Sequence, residues 1–514
     1  MYFRSPCLSL TDLLGKAYMQ HVVAANAALG RMTEQEAEAL AAQKVDFFPE
    51  EAQAQSDALL DKVGQTIIPP FENTMAGAPT ESFRKAAHPH LSPLTGAGCC
   101  RIGEDGRLYF IGKSEHYHAS LGHTFPGYRL IDIARKLGIL NATHNNTRGY
   151  ITRLAETRLV QSANGIDWDD TAATEAVLSS TAPHVLNRVI NLETGSLAVE
   201  AGVKMMLARF YRLDTTFPAP KYEGRVPVFF VMADNEGGKA GNYHGTTVLT
   251  QTFRGLWPEL YDAADRAELY KVVPVRINDL ADFEEKIARY NTGKYKTAGF
   301  LHEIVMMNYG AIRLTGEFLR GAYEACRRTD TPTLVDEIQS CMWYRGMFLF
   351  RLYGLTPDFA IVGKGFPGGE YPASKVITTA EMDTLNQFGA LVTNGQEELA
   401  SLAYLITMTF MQANGDKVAQ CGELLQQQLA EIHSRHAGVL CRVEGDGHLV
   451  GLHFHTVADA AAFAEALNAR CIDSSAQLYK ANCPPAVLLK PPVISSEKTV
   501  RFLTDTIDEL LNRS

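Results

Sequence analysis

Residues 334–374 read LVDEIQSCMWYRGMFLFRLYGLTPDFAIVGKGFPGGEYPAS. Two apolar runs bracket this stretch. The first ends in Asp336 and Glu337; the second, Phe359 to Val362, ends in Gly363 and Lys364, 28 residues after Asp336. Short continuous apolar runs are what a strand covered on both faces requires. The segment between them is long enough for a helix-bearing crossover joining parallel strands. The spacing therefore predicts a carboxylate and an amine projecting from the same edge of one sheet. Taken singly, a lysine in a glycine-rich loop is usually a solvated charge, and an acid after a strand is often a helix cap.

The same character recurs upstream. VPVFFVMA (226–233), KVVPVRI (271–277), GFLHEIVMM (299–307), TPTLVDE (331–337) and DFAIVGKG (358–365) read as buried strands. Amphipathic stretches lie between or before them, such as SLAVEAGVKMMLARFY (196–211) and TGEFLRGAYEACRR (315–328). Strand and helix in alternation predict an α/β domain with a mainly parallel sheet, whose ligands gather at strand ends and helix N-termini. Residues 9–66 read as helical, with Thr33 and Glu36 forming a capping box. GAGCCRIGEDGRLYFIG, near residue 100, reads as a hairpin turning at Gly103–Gly106. After residue 380 the pattern predicts helices over 380–388, 397–413 and 416–435. Short strands then flank Gly445-Asp-Gly447, and a closing helix ends the chain. The resulting division is an N-terminal helical extension (1–80), an N-terminal part of a small domain (81–150), a large domain (151–390) and a C-terminal small α+β domain (391–514).

The chain has 514 residues and a net charge of −10, with 46% apolar and 21% charged residues. That composition is ordinary for a globular protein, and the negative balance argues against nucleic acid or an anionic membrane as a partner. No apolar run is long enough to span a bilayer, and the first twenty residues lack a secretory signal, so the cytoplasm is the expected location. Nine cysteines without framework spacing fit reduced thiols. Glu115-His-Tyr-His118 and Leu452-His-Phe-His455 place alternating histidines at a spacing that suits metal ligands, but neither has a companion set of ligands, and no metal is expected.

Three further pieces stand beside the acid and the amine. Glu193-Thr194-Gly195-Ser196 runs straight into a helix, whose free N–H groups form a seat for phosphate. Asn242-Tyr243-His244-Gly245 offers an aromatic ring in a glycine-flanked loop. A phosphate seat, a flat ring, an acid and an amine match the needs of pyridoxal 5′-phosphate. Its pyridine nitrogen works best protonated, and its aldehyde condenses with a lysine.

With these residues in view, the chain resembles the class III (omega-type) aminotransferases, pyridoxal phosphate enzymes of fold type I. The resemblance rests on Asp336-Glu-Ile338-Gln339, Pro357-Asp358 and Gly363-Lys364 in order. It also rests on Thr194-Gly195-Ser196, Tyr243-His244-Gly245, Leu391-Val-Thr393-Asn-Gly395 and the closing KPPVISSEKT. It covers roughly residues 90–514. It implies a mainly parallel seven-stranded sheet sandwiched by helices, with a smaller α+β domain and, here, the extra N-terminal helical segment.

By the same resemblance, Lys364 carries the cofactor as a Schiff base and Asp336 pairs with the pyridinium. Ile338 and Tyr243 cover the two ring faces, with His244 in the same loop. Gln339 reaches the ring hydroxyl oxygen. Thr194, Gly195 and Ser196 hold the phosphate, and Thr393 reaches the phosphate in the neighbouring subunit of a homodimer. Glu303, 33 residues ahead of Asp336, lies near the substrate or the ring-stacking shell, and the segment before Gly122-His123, with His116 and His118, lines the substrate entrance. The implied reaction moves an amino group between a small-molecule amino donor and an oxo acid or aldehyde acceptor, in two ping-pong halves. Aminomutases, racemases, decarboxylases and lyases share this constellation and form the alternative, ahead of a non-catalytic cofactor-binding relative. The chain departs from the family pattern at Leu197, where a glutamate is usual, across Ser340–Gly346, and at Lys490 before Pro491-Pro492, where many relatives have arginine.

Overall fold

The computed structural model describes residues 2–86, 91–142, 145–393, 395, 397–478 and 482–513. Its centre is one seven-stranded sheet. In chain order the strands are β1 (Leu186–Leu192), β2 (Val226–Met232), β3 (Lys271–Val275), β4 (Tyr295–His302), β5 (Thr333–Asp336), β6 (Phe359–Val362) and β7 (Ser374–Thr379). Across the sheet they run β1-β7-β6-β5-β4-β2-β3. The four pairs from β6 to β3 are parallel, and β7 runs antiparallel to both β6 and β1.

Every residue of β2, β5 and β6 is buried, which explains why these strands read as unbroken apolar runs: helices cover both faces. One covering helix is Gly195–Leu207, packed on β1, β4, β6 and β7. The helices Leu280–Arg289 and Gly316–Arg328 pack against each other, and Phe283 meets both the β4 ring of Phe300 and, on the neighbouring helix, the ring of Phe318. Thr315 caps the second helix by accepting the Phe318 N–H.

The two ends of the chain meet in a smaller lobe. Strands Pro93–Ala97, Cys100–Gly103 and Leu108–Phe110 form an antiparallel meander turning where the sequence predicts it. The meander joins the C-terminal part through the Phe110 N–H to Cys471 and the Lys490 N–H to Gly112. A four-stranded antiparallel sheet (440–446, 449–454, 475–476, 486–489) and the capped helix Glu497–Leu511 complete the lobe. The N-terminal extension is helical at Leu10–Leu14, Lys16–Ala28, Glu34–Ala41 and Glu50–Leu60, and the Thr33–Glu36 capping box is present.

Three local readings are corrected. The run 299–307 is not one strand: β4 stops at His302, and Val305–Met306 pairs in a separate two-stranded ribbon with Ile312–Arg313. Residues 380–388 form no helix; the Met382 N–H turns back onto the Thr379 hydroxyl, and the Thr384 hydroxyl onto the Met382 carbonyl. Such local bonds compete with helical ones. Nor does the helix break near Gly415. Glu398–Arg435 is a single helix of 38 residues, lying along Tyr150–Asn164.

Candidate active site

In β5 and β6, Asp336 stands opposite Ile361 in parallel register, and Lys364 lies two residues beyond the end of β6. Both line one cavity of about 570 Å³. The glycine before the lysine has a steric cause: a Cβ at Gly363 would lie 2.2 Å from Ser374 Oγ and 2.6 Å from Ile338 Cδ1. Only hydrogen fits between β7 and the side chain that forms the cavity wall. Lys364 itself has φ +38°, a conformation uncommon for a residue with a side chain and found where the surroundings over-determine it. The lysine is thus set by the strand end and held there.

Asp336 is buried, and both its oxygens are engaged. Oδ2 faces His244 Nδ1 at 3.1 Å, and Oδ1 accepts the Ile338 N–H at 3.1 Å. His244 is itself buried, so the pair brings the loop after β2 onto the end of β5. Burial pushes the Lys364 amine below its ordinary range, while the Glu303 and Asp336 carboxylates pull it back. A desolvated amine of this kind loses its proton more easily and serves as a nucleophile.

The helix Gly195–Leu207 starts at the cavity. Thr194 is its N-cap, yet its side chain makes no capping bond, which leaves first-turn N–H groups for a ligand. A Cβ at Gly195 would lie 2.9 Å from Ile338 Cδ1, so glycine lets the helix start approach the wall. Ser196 Oγ accepts the Thr246 N–H at 3.1 Å, which ties the Tyr243–Gly245 loop to the same place.

Thr194, Gly195, Ser196, Tyr243, His244, Asp336, Ile338, Gln339 and Lys364 all line this cavity. The guanidinium of Arg254 lies 4.7 Å from the centre of the Tyr243 ring. Glu303 is buried close enough to Lys364 to act on its amine but is not among the lining residues. Thr393 is exposed and off its own chain's cavity.

The residues present fit pyridoxal phosphate. Gln339 is buried, lines the cavity, and its Oε1 has no hydrogen-bond partner among the described residues. A buried amide end without a partner is a costly arrangement that a ring substituent would relieve. The helix start, the carboxylate and the amine lie around the same space.

Several lining residues carry no signal in the strand pattern: Glu193, Asn308, Tyr371 and Ser374. Among the described lining residues Lys364 is the sole lysine or arginine. His116 and His118 stand at the rim on a turn in which Ser114, Glu115, His116 and Tyr117 all have φ between +46° and +74°. Four consecutive non-glycine residues in the left-handed region form one turn of reversed hand, which the sequence SEHY does not announce. Lys113 and Ser114 carbonyls accept the N–H groups of Tyr117 and His118 within it. The Glu115 carboxylate anchors it, 2.8 Å from Arg101 Nε and 2.9 Å from His123 Nε2.

The family model described as Aminotransferase class-III matches residues 123–511. An acetylornithine aminotransferase of Bradyrhizobium diazoefficiens is 26% identical over 382 residues, covering 71% of this chain and 82% of that protein. The crystal structure of adenosylmethionine-8-amino-7-oxononanoate aminotransferase from Methanocaldococcus jannaschii superposes with a TM-score of 0.65 at 20% identity, over 89% of this chain and 99% of that one. A phospholyase from Arthrobacter in complex with phosphoethanolamine superposes with a TM-score of 0.62 at 19% identity, over 82% and 94%.

Proposed function

The chain belongs to the class-III aminotransferases, pyridoxal phosphate-dependent transferases of fold type I, and from that premise we propose that Lys364 and Asp336 are its catalytic pair. The observation that supports this reading is their meeting: two groups 28 residues apart in sequence stand at neighbouring strand ends and line one cavity with the Gly195 helix start. Pyridoxal phosphate, when bound, supplies a carbonyl that condenses with amines and a ring that draws off the electron pair released at the substrate carbon.

The chain's own residues do the rest. Asp336, held by His244 and the Ile338 N–H, keeps a negative charge where the ring nitrogen carries its proton. Thr194, Gly195 and Ser196 bind the phosphate through the helix start. Ile338 and Tyr243 confine the ring, and Gln339 meets its hydroxyl oxygen. Lys364 Nζ would hold the cofactor and, when freed by a substrate amine, would move a proton at the substrate carbon. Glu303 lies near the substrate or the ring-stacking shell, close enough to act on the Lys364 amine. The protein is a homodimer in which Thr393, exposed on its own chain, reaches the phosphate in the partner's site. The large domain spans 151–390, and the small domain is built from 81–150 and 391–514, with 1–80 as an added helical layer. Nine free cysteines support a cytoplasmic location; no helix among the described residues is long and apolar enough to cross a membrane.

The amino donor passes its nitrogen to the enzyme in one half-reaction and an oxo acid or aldehyde takes it in the next. Borohydride reduction of the cofactor-loaded protein followed by peptide mass analysis should place the adduct on Lys364. Addition of ornithine or N-acetylornithine should bleach the cofactor absorbance, and an oxo acid should restore it. The likeness to a phospholyase favours one second reading, elimination on the same residues. Ammonia released without any acceptor would establish that reading in place of transfer.

A further inference from the structure

Lys490 is a fully buried amine that the reaction just described does not use. Its Nζ donates to the Gln339 carbonyl at 2.5 Å and lies 3.5 Å from the centre of the Trp343 ring. It is also 5.3 Å from the centre of the Tyr117 ring, and Lys364 Nζ is 5.5 Å from that same centre. Around Lys490 three separate pieces of chain are tied together. Its N–H donates to Gly112 at 2.7 Å, and its carbonyl accepts the Ser114 hydroxyl at the start of the left-handed turn. The Trp343 indole N–H donates to the neighbouring Pro491 carbonyl at 2.9 Å.

A buried amine is an expensive way to fill space that a methionine fills equally well. What the amine adds is a hold on the backbone of Gln339, whose side chain lines the cavity, and a place behind the ring that Lys364 also touches. We propose that Lys490 is a positioning residue for Lys364: it locks the Gln339–Trp343 loop, the left-handed turn and the C-terminal lobe into one wall behind Tyr117, and so fixes the Gln339 amide and the Lys364 amine toward the cofactor. This rests on the reading of Lys364 as the cofactor-bearing amine.

Electrostatics act in the same direction. Burial pushes the Lys490 amine well below the lysine range, and Lys364 pushes it further. The lowering of Lys364 comes from its own burial against that wall, so a wall that loosens lets water reach its amine and returns it toward the ordinary lysine range. The titratable groups facing the pair are Asp336, Glu303 and Cys341 on the sheet side, His116 and His118 at the rim, and His448 in the C-terminal lobe.

The test is the pH dependence of trace acetylation of Lys364 in the cofactor-free protein, read by peptide mass from pH 6 to 10, in wild type and Lys490→Met. The labelling midpoint of Lys364 is expected to rise by about one pH unit in the variant. A folded variant with an unchanged midpoint overturns the proposal. If Lys490→Met fails to fold, Trp343→Phe is read in the same way. It keeps a ring under the amine and loses the tie to Pro491, so a smaller rise is expected, and an unchanged midpoint again overturns the proposal. Failure of borohydride to mark Lys364 in the wild-type holoenzyme would instead remove the reading beneath it, whatever the midpoints show.

Discussion

Asp336 and Lys364 stand at the ends of parallel strands in which every side chain is buried, whereas His116 and His118, across the same cavity, stand on and just after a four-residue turn of reversed hand with exposed rings. The floor is placed by sheet register and by a glycine that nothing larger could replace. The rim is placed by a conformation that costs of order 1 kcal/mol per residue and is held by Glu115 between Arg101 and His123. A floor built this way fixes the reaction, because the acid and the amine cannot shift without disturbing the core. A rim built this way is free to differ, because its contacts lie outside the sheet. The floor is therefore expected to govern turnover and the rim to govern which molecule is accepted.

The strongest test removes the charge of the floor without its shape. Asp336→Asn keeps an acceptor for the Ile338 N–H but, on the proposed pairing with the ring nitrogen, no longer stabilises a proton there. Its kcat at saturating amino donor is expected to fall by about 10³-fold. A fall smaller than tenfold would mean that the floor does not set the reaction.

This contrast also explains what was readable in advance. The floor was legible because strands buried on both faces must be apolar throughout, so the polar residue that ends each run stands out: Asp336 after β5, Gly363-Lys364 after β6. The rim was not legible, since nothing in Ser-Glu-His-Tyr marks a left-handed turn; glycine, the usual sign, is absent, and the anchors Arg101 and His123 lie elsewhere in the sequence. Distant partners also explain the helix that does not break. Asn414-Gly415-Asp416 has the composition of a turn, but the Asn414 amide both donates to and accepts from the backbone of Arg4, 410 residues away. That contact satisfies a side chain that would otherwise compete with the helix. Lys490 stood out only as a departure from the family pattern; its burial against Trp343 required the fold.

A second test asks whether the rigidity of the floor is paid in stability. Glu337, next to Asp336, points away from the cavity and accepts the Ser340 hydroxyl and the N–H groups of Phe350 and Leu349 at 2.5, 2.6 and 3.2 Å. Burial nonetheless raises it from 4.5 to about 7, those donors only partly offsetting it. The folded chain therefore keeps a proton that the unfolded chain releases above about pH 4.5. The stability from this proton is fully present below that pH and is lost as pH rises through about 7. Glu337→Gln lacks this titration. Denaturant unfolding from pH 4.5 to 8 should show wild type losing up to about 3 kcal/mol relative to the variant. A constant difference across that window would show that the glutamate keeps its charge and that the floor carries no such strain.

The smallest expected effect belongs to the rim. The protein around His116, and next the Lys364 amine, lower its imidazole to about 4, so near neutral pH it offers an uncharged hydrogen-bonding group to whatever enters at the rim. An interaction of that kind is formed with bound substrate and transition state alike, and its loss raises KM without lowering kcat. For His116→Ala the KM of the amino donor is expected to rise about tenfold while kcat stays within about threefold, with no new pH dependence between 6 and 8. If kcat instead fell as far as in Asp336→Asn, the reversed turn would have to be counted with the strands as part of the reacting floor, and the division between a fixed floor and a variable rim would fail.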